Sequence, residues 1–342
     1  MKTLVLIVCL LFSMAATAAK PKAGLTNIIG CSLFNENGEL LKKYQGWICG
    51  FFPNGNMILG DGYTLTFYDK NMDVVWQRDV HSHHFVVYSA ADDTALVITS
   101  KITDETVRSD RLEVYGSSGK LLKAFDLTKE QSTEVHSFGW FDQHVMPKVR
   151  QEITHVRSFY RIGKNKSKHP ALAEGNYIVC ETYGKIFILD KNLKKVIHTF
   201  NYSDWQLSGL NDVQVTKRGN LLFYVNENPR KFENYSSLVE LDPLTGKVVW
   251  SYHENPPEAF HGIYEGTVQE LENGNMLYSV IVADKMPDND KEMLTAMHHS
   301  VEITRGGKKV WTMVADNDNL SGVPGVLRRM DLSSYRKNKG RF

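Results

Sequence analysis

Histidine is the residue type whose distribution first suggests chemistry in this chain. There are twelve in 342 residues, and several stand where an alternating apolar stretch begins. His83-His84 precede Phe85-Val86, His155 precedes Val156, and His261-Gly262 come shortly before Gly266-Thr267-Val268-Gln269. His298-His299 lead into Ser300-Val301-Glu302. A neutral imidazole is both a nucleophile and a proton carrier near pH 7. If such strand starts converge, His84, His155, His299 and His261 would line one pocket. Arg157 would share the face of His155 in an extended strand and could meet an anion. Asn211 stands at a comparable start, Leu210-Asn211-Asp212-Val213, and Arg230 follows the stretch Phe223 to Asn226. The plainer alternative is that these histidines pack or face solvent, and that Arg157 makes an ordinary ion pair. Converging histidines also bind zinc or copper. Here no carboxylate accompanies them at a ligand spacing and no Cys-x-x-Cys occurs, so neither a metal nor another cofactor is expected.

The elements that must position these residues come from an internal repeat. Its first half is a hairpin with a Gly-Asn type turn: Phe51 to Leu59 around Asn54-Gly55-Asn56, Val213 to Leu222 around Gly219-Asn220, and Val268 to Leu277 around Asn273-Gly274-Asn275. Weaker copies run from Val86 to Ile98 and from Phe159 to Val179. Tight hairpin turns need positive φ, which Gly and Asn tolerate. The second half is strand, turn, strand, often ending in an aromatic residue. It recurs at Phe67 to Trp76, Val114 to Leu122, Ile188 to Ile197, Leu238 to Trp250 and Val301 to Trp311. Each cycle supplies about four short strands, and a lone sheet of this kind cannot cover both apolar faces. The sequence therefore predicts an all-β, roughly six-bladed β-propeller. A sixth outer half, Ser32 to Leu41, would be completed by an inner half from Gly322 to Leu332, closing the ring by pairing the two ends of the chain. Trp76, Trp250 and Trp311 occupy matching places and read as aromatics packed between blades. The segment from Lys129 to Glu152 breaks the rhythm as an insertion, a decorated loop or a partly helical lid beside a binding face.

Met1-Lys2-Thr3, the apolar run Leu4 to Met14 and Ala16-Thr17-Ala18 have the order of a cleavable signal peptide over residues 1–19. Residues 20–342 then form a single propeller domain, exported to the periplasm or beyond. Lys plus Arg number 40 against 39 Asp plus Glu, so no overall field favours nucleic acid. Of the cysteines left after processing, Cys31 and Cys49 are the expected disulfide pair, with Cys180 free.

The stretch Val239-Glu240-Leu241-Asp242-Pro243-Leu244-Thr245-Gly246-Lys247-Val248-Val249-Trp250 resembles the repeat of quinoprotein-like propellers. A His or Asn-Asp strand start, a downstream Asn-Gly-Asn turn and this second half together resemble the bacterial arylsulfotransferase-like family, over about Cys31 to Val314. The resemblance implies a histidine that accepts a sulfuryl group from an aryl sulfate and passes it to a phenol. His83-His84-Phe85-Val86 matches a His-His-Asp start with Phe85 in the acidic place. His155-Val156-Arg157-Ser158 matches His-x-Asn-Ser with Arg157 in the Asn place, and Asn211 stands where a histidine is expected. Nothing in the match brings the cofactor residues of the quinoproteins. Two functions follow as expectations: a histidine-dependent transferase acting on small aromatic sulfates and phenols, or a non-catalytic propeller that binds an envelope ligand or protein. The first requires His84, His155 and His299 to converge.

Overall fold

The Asn-Gly-Asn segments fold as hairpins of one kind. In the computed structural model Phe52 N–H donates to Asn56 O and Gly55 N–H to Phe52 O, and the same pair of bonds recurs at Thr216/Asn220 with Gly219 and at Leu271/Asn275 with Gly274. Gly219 has φ +92°, and a Cβ there would lie 2.1 Å from Ser167 N, so the position requires glycine twice over. The structure describes residues 25–29, 31–127 without 36, 47, 85 and 105, 135–137, 148–226 without 206 and 208, 235–256, 262, 266–282, 297–315 and 327–331. The signal-like segment, His261 and Arg230 lie outside these residues.

The chain forms an all-β propeller. Its first strands are β1 (Leu25–Ile29), β2 (Ser32–Phe34) and β3 (Leu40–Lys43). The next sheet is β4 (Ile48–Phe51), β5 (Met57–Gly60), β6 (Thr64–Tyr68) and β7 (Val74–Asp79). A wider sheet follows, from β8 (Val87–Ser89), β9 (Thr94–Asp104), β10 (Val107–Gly116), β11 (Leu121–Asp126), β12 (His136–Ser137) and β13 (Gln151–Glu152). Then come β14 (Val156–Arg161), β15 (Tyr177–Glu181), β16 (Lys185–Leu189) and β17 (Val196–Asn201). The fifth group is β18 (Leu210–Val215), β19 (Leu221–Val225), β20 (Ser237–Leu241) and β21 (Val248–Tyr252). Last are β22 (Gly266–Glu270), β23 (Met276–Val282), β24 (Met297–Ile303) and β25 (Lys309–Ala315), and finally β26 (Leu327–Asp331).

Counted as regular four-stranded blades there are five, where the repeat predicts about six, because the β8–β13 sheet has six strands. Its long β9 and β10 outrun the repeat, and β13 joins β10 in parallel, Arg108 opposite Glu152. The described parts of the insertion are therefore strands at a sheet edge, not the helix that a lid could have been. β26 pairs antiparallel with β1, Asn27 opposite Arg329, so both ends of the chain share one sheet. The inner half of that sheet comes from both ends rather than from Gly322 to Leu332 alone, since β1 supplies its second strand.

Apolar side chains collect in layers between successive sheets, which is where strand alternation sends them. Leu112, Phe159 and Tyr177 join the β8–β13 and β14–β17 sheets, and Phe34 packs with Leu277 and Trp311. The tryptophan positions add polar ties. Trp76 Nε1 donates to Gly119 O and Trp250 Nε1 to Arg305 O, each at 2.8 Å and each reaching the following sheet. Trp311 is buried beneath the Arg329 guanidinium, 4.7 Å from the ring centroid. Cys31 and Cys49 are disulfide-bonded, their Cα atoms 5.1 Å apart, and Cys180 is free and buried.

The innermost strands are tied in sequence by side chains accepting backbone N–H groups. Ser158 Oγ takes Val213 N–H at 3.3 Å, Asp212 Oδ2 takes Val268 N–H at 3.0 Å, and Gln269 Oε1 takes Arg329 N–H at 3.1 Å. Polar side chains on these strands thus satisfy donors that would otherwise be stranded where one sheet meets the next.

Candidate functional site

Where the β8–β13 sheet meets β14–β17, the chain buries charges that a strand core normally excludes. Arg108 and Asp110 alternate on one face of β10 and are 0 % exposed. The Arg108 guanidinium lies 3.0 Å from Glu152 Oε2 and 3.7 Å from Asp110 Oδ1. Burial of this kind is tolerated only when the charges are paired and hydrogen-bonded. Asp110 Oδ2 accepts Val156 N–H at 2.7 Å, tying the two sheets together. Burial pushes the Asp110 carboxyl up, while Arg108 and the Val156 N–H oppose the shift.

Three imidazoles gather on this pair of carboxylates. His83 Nε2 is 2.9 Å from Asp110 Oδ1, and His155 Nδ1 is 2.9 Å from Glu152 Oε1. His84 lies between them, its ring centroid 4.8 Å from His83 and 5.1 Å from His155. Burial, reinforced by Arg108 and Arg157, holds His83 and His155 well below their ordinary range. Both are neutral at pH 7. A carboxylate that is ionised can only accept, and with both partners in that form the bonded nitrogen of each ring carries the proton and the other the lone pair. For His155 the lone pair is on Nε2, and its side chain is 10 % exposed. His84 is more open and has φ +60°, an uncommon conformation for a non-glycine residue.

The second layer steadies these groups. Tyr183 O–H donates to Glu152 Oε1, and His136 of the insertion stacks on the Tyr183 ring at 3.5 Å between centroids. Glu181 accepts Tyr183 N–H at 2.9 Å and is pushed up to about 8, mainly by burial. His81 stacks on His83 and bonds Ser100 Oγ through Nδ1 at 2.8 Å. Arg157 Nε donates to Thr182 Oγ1 at 2.9 Å, and that hydroxyl donates to His155 O at 3.0 Å. The arrangement offers an imidazole fixed at Nδ1 by Glu152 and kept neutral by burial and by the charges of Arg157 and Arg108, a ring suited to nucleophilic work.

The structure brings together His84, His155 and Arg157, but not His299. That residue sits on β24, the third strand of its sheet, opposite Val280 and Val314, and His298 beside it is fully buried. The expected convergence of three histidines fails, because strand β24 lies away from the innermost position, and the three-histidine transferase that the sequence suggested fails with it; a catalytic reading is left with the pair His84 and His155 and the hold of Glu152 on His155. Asn211 is buried on β18. The ladders skip a residue at Arg157 between Val156 and Ser158, and likewise at Asn211 between Leu210 and Asp212. Asn211 is therefore the counterpart of Arg157, not of a histidine, and each is the extra residue of a bulge, a device that re-aims a side chain. Sequence reasoning passed over Arg108, Asp110 and Glu152. The available signal was the pair Arg108 and Asp110, two apart in a strand whose neighbours Leu112 and Val114 are apolar. Among the described residues no group of His, Cys, Asp and Glu is arranged to hold a metal ion.

No family model matches the chain, and no curated protein matches it. Among solved structures it is similar to a protein of unknown function from Bacteroides caccae, with 16 % identity, a TM-score of 0.57, and 90 % of this chain and 99 % of that one covered. It also matches the Neurospora crassa Pan2 WD40 domain at 8 % identity and TM-score 0.45, covering 78 % and 65 % of the two chains. The WD40 β-propeller domain of Doa1 matches at 12 % identity and TM-score 0.46, covering 86 % and 87 %. At these identities the first likeness speaks to fold alone, and the chain stands as a β-propeller of unknown function.

Proposed function

We propose that the β8–β13 sheet occupies the sixth blade position, that the pairing of β1 with β26 closes the ring, and that the protein is an exported group-transfer enzyme with His155 as nucleophile. The observation that carries the catalytic reading is the hold of buried Glu152 on His155 Nδ1 at 2.9 Å, which leaves Nε2 for chemistry on a ring that lies beside His84 and feels the charges of Arg157 and Arg108. The resemblance noted in the sequence makes the group a sulfuryl group. Nε2 attacks sulfur, the S–O bond to the aryl group breaks, and its electron pair leaves on the phenolate, which His84 is placed to protonate. A second phenol, giving its proton to His84, then attacks sulfur, the N–S bond breaks, and the lone pair returns to Nε2. The disulfide between Cys31 and Cys49 supports export to an oxidising compartment.

One observation favours the other reading, a ligand-binding propeller without catalysis. Asp110 gives one oxygen to the Val156 N–H and Glu181 accepts two further backbone N–H groups, so part of this network serves the joint between two sheets. The readings separate in one assay, transfer from 4-nitrophenyl sulfate to phenol. The first predicts turnover that His155→Ala abolishes, Glu152→Gln reduces, and His299→Ala leaves alone. Absence of turnover in the unaltered protein overturns it.

A further inference from the structure

A second site lies at the outer rim, away from the histidine cluster. β17 is an outermost strand, and His198 and Phe200 alternate onto one of its faces. A short 3-10 turn, Tyr202–Trp205, brings the indole of Trp205 back to 5.4 Å from Phe200, and His169 closes on His198 at 4.6 Å from the loop before β15. The turn of the next sheet supplies Pro243 and Leu244, the latter 56 % exposed. Together they bound a cleft of about 340 Å³. That is the low end of the range, about 300–1,000 Å³, of small-molecule sites.

The chemistry of the lining selects a ligand. It includes one carboxylate, Asp204, with Asn201 and Thr199 and no lysine or arginine, so nothing there attracts an anion. Burial, together with His198, holds His169 below its ordinary range, so that imidazole is neutral at pH 7. The rings touch one another, His198 on Phe200 at 4.3 Å and 71°, and Phe200 on Trp205 at 43°. Phe200 is buried and lies edge-to-face with His198, so the accessible ring surface is that of Trp205 and His198 over a Phe200 floor, not the box of separated faces that encloses an alkylammonium. Such a ring surface, edged by groups that both donate and accept hydrogen bonds, matches a molecule with one C–H face and a rim of hydroxyls. From this we infer that the cleft binds a neutral carbohydrate of one or two pyranose units, stacked on Trp205 beside His198 and hydrogen-bonded by Asp204 and Asn201.

The test is saturation-transfer NMR on the full mature chain with cellobiose, lactose and N,N′-diacetylchitobiose, and with tetramethylammonium as the cationic probe. At least one disaccharide should bind with a Kd on the order of 1 mM, transfer being strongest to its ring C–H protons. Asp204→Asn, at an exposed position, and Trp205→Ala should each weaken binding about tenfold. Because Trp205 also packs on Phe223, Asp204→Asn keeps the test decisive if Trp205→Ala fails to fold. No transfer to any disaccharide, binding unchanged in Asp204→Asn, or preference for tetramethylammonium would each overturn the assignment.

Discussion

Replacing Arg108 by Met gives the sharpest test of how the histidine cluster is held. The guanidinium is 0 % exposed, 3.0 Å from Glu152 and 3.7 Å from Asp110. At an effective dielectric constant of about 20, the nearer contact alone corresponds to about 5 kcal/mol of attraction. Methionine fills much of the volume but leaves two carboxylates buried without their cation, a loss of about 3–5 kcal/mol. At about 2.1 cal/mol/K of unfolding entropy per residue over 342 residues, the melting temperature should fall by about 4–7 °C. The deficit should depend on pH. Burial already holds the Asp110 carboxyl above its unfolded value, and losing Arg108, the main group opposing that shift, raises it further; such a group favours the fold at low pH and loses that contribution as pH rises through the folded value. Thermal unfolding followed by circular dichroism at about pH 7 and about pH 5 should therefore show a smaller gap between variant and parent at the lower pH. A deficit below about 1 kcal/mol, or one equal at both pH values, would refute the idea that Arg108 offsets these two charges.

Other consequences are simpler to check. Reducing the Cys31–Cys49 bond, whose partners are 18 residues apart, should cost about 3 kcal/mol in a urea titration with and without reductant. Trp250→Phe keeps most of the ring packing and loses the Nε1 bond to Arg305 O, so its urea midpoint should fall by the equivalent of about 1 kcal/mol. Glu181, raised to about 8 from an ordinary 4.5, favours the fold below its unfolded pKa and loses that contribution as pH rises toward 8. Glu181→Gln should then be more stable than the parent at about pH 9, with the difference vanishing toward about pH 4 in paired melting curves.

The fold was legible in the sequence because its signals are local. Turns such as Asn54-Gly55-Asn56 and Thr245-Gly246-Lys247 fix hairpins through backbone conformation alone, and the tryptophans mark where sheets meet. The width of the β8–β13 sheet was not legible, since the parallel pairing of β13 with β10 joins residues more than forty apart with no turn to announce it. The site was half legible for a similar reason. His84 and His155 flank strand starts that two neighbouring sheets bring together, whereas His299 sits on a strand whose rank within its sheet periodicity cannot reveal. Glu152 lay in a segment without repeat character, and its tie to His155 depends on a contact between two sheets. Asn211 was aligned with a histidine because a bulge shifts the ladder by one residue, and a bulge leaves no composition signal of its own.

The central claim is that His155 Nε2 is a nucleophile oriented by Glu152, and intact-mass analysis tests it most directly. The protein would be mixed with 4-nitrophenyl sulfate, quenched during turnover, and peptide-mapped at alkaline pH. The account predicts an adduct of about 80 Da on the peptide carrying His155, absent in His155→Ala and diminished in Glu152→Gln. An adduct on another histidine, or none under conditions where 4-nitrophenol is released, would contradict it.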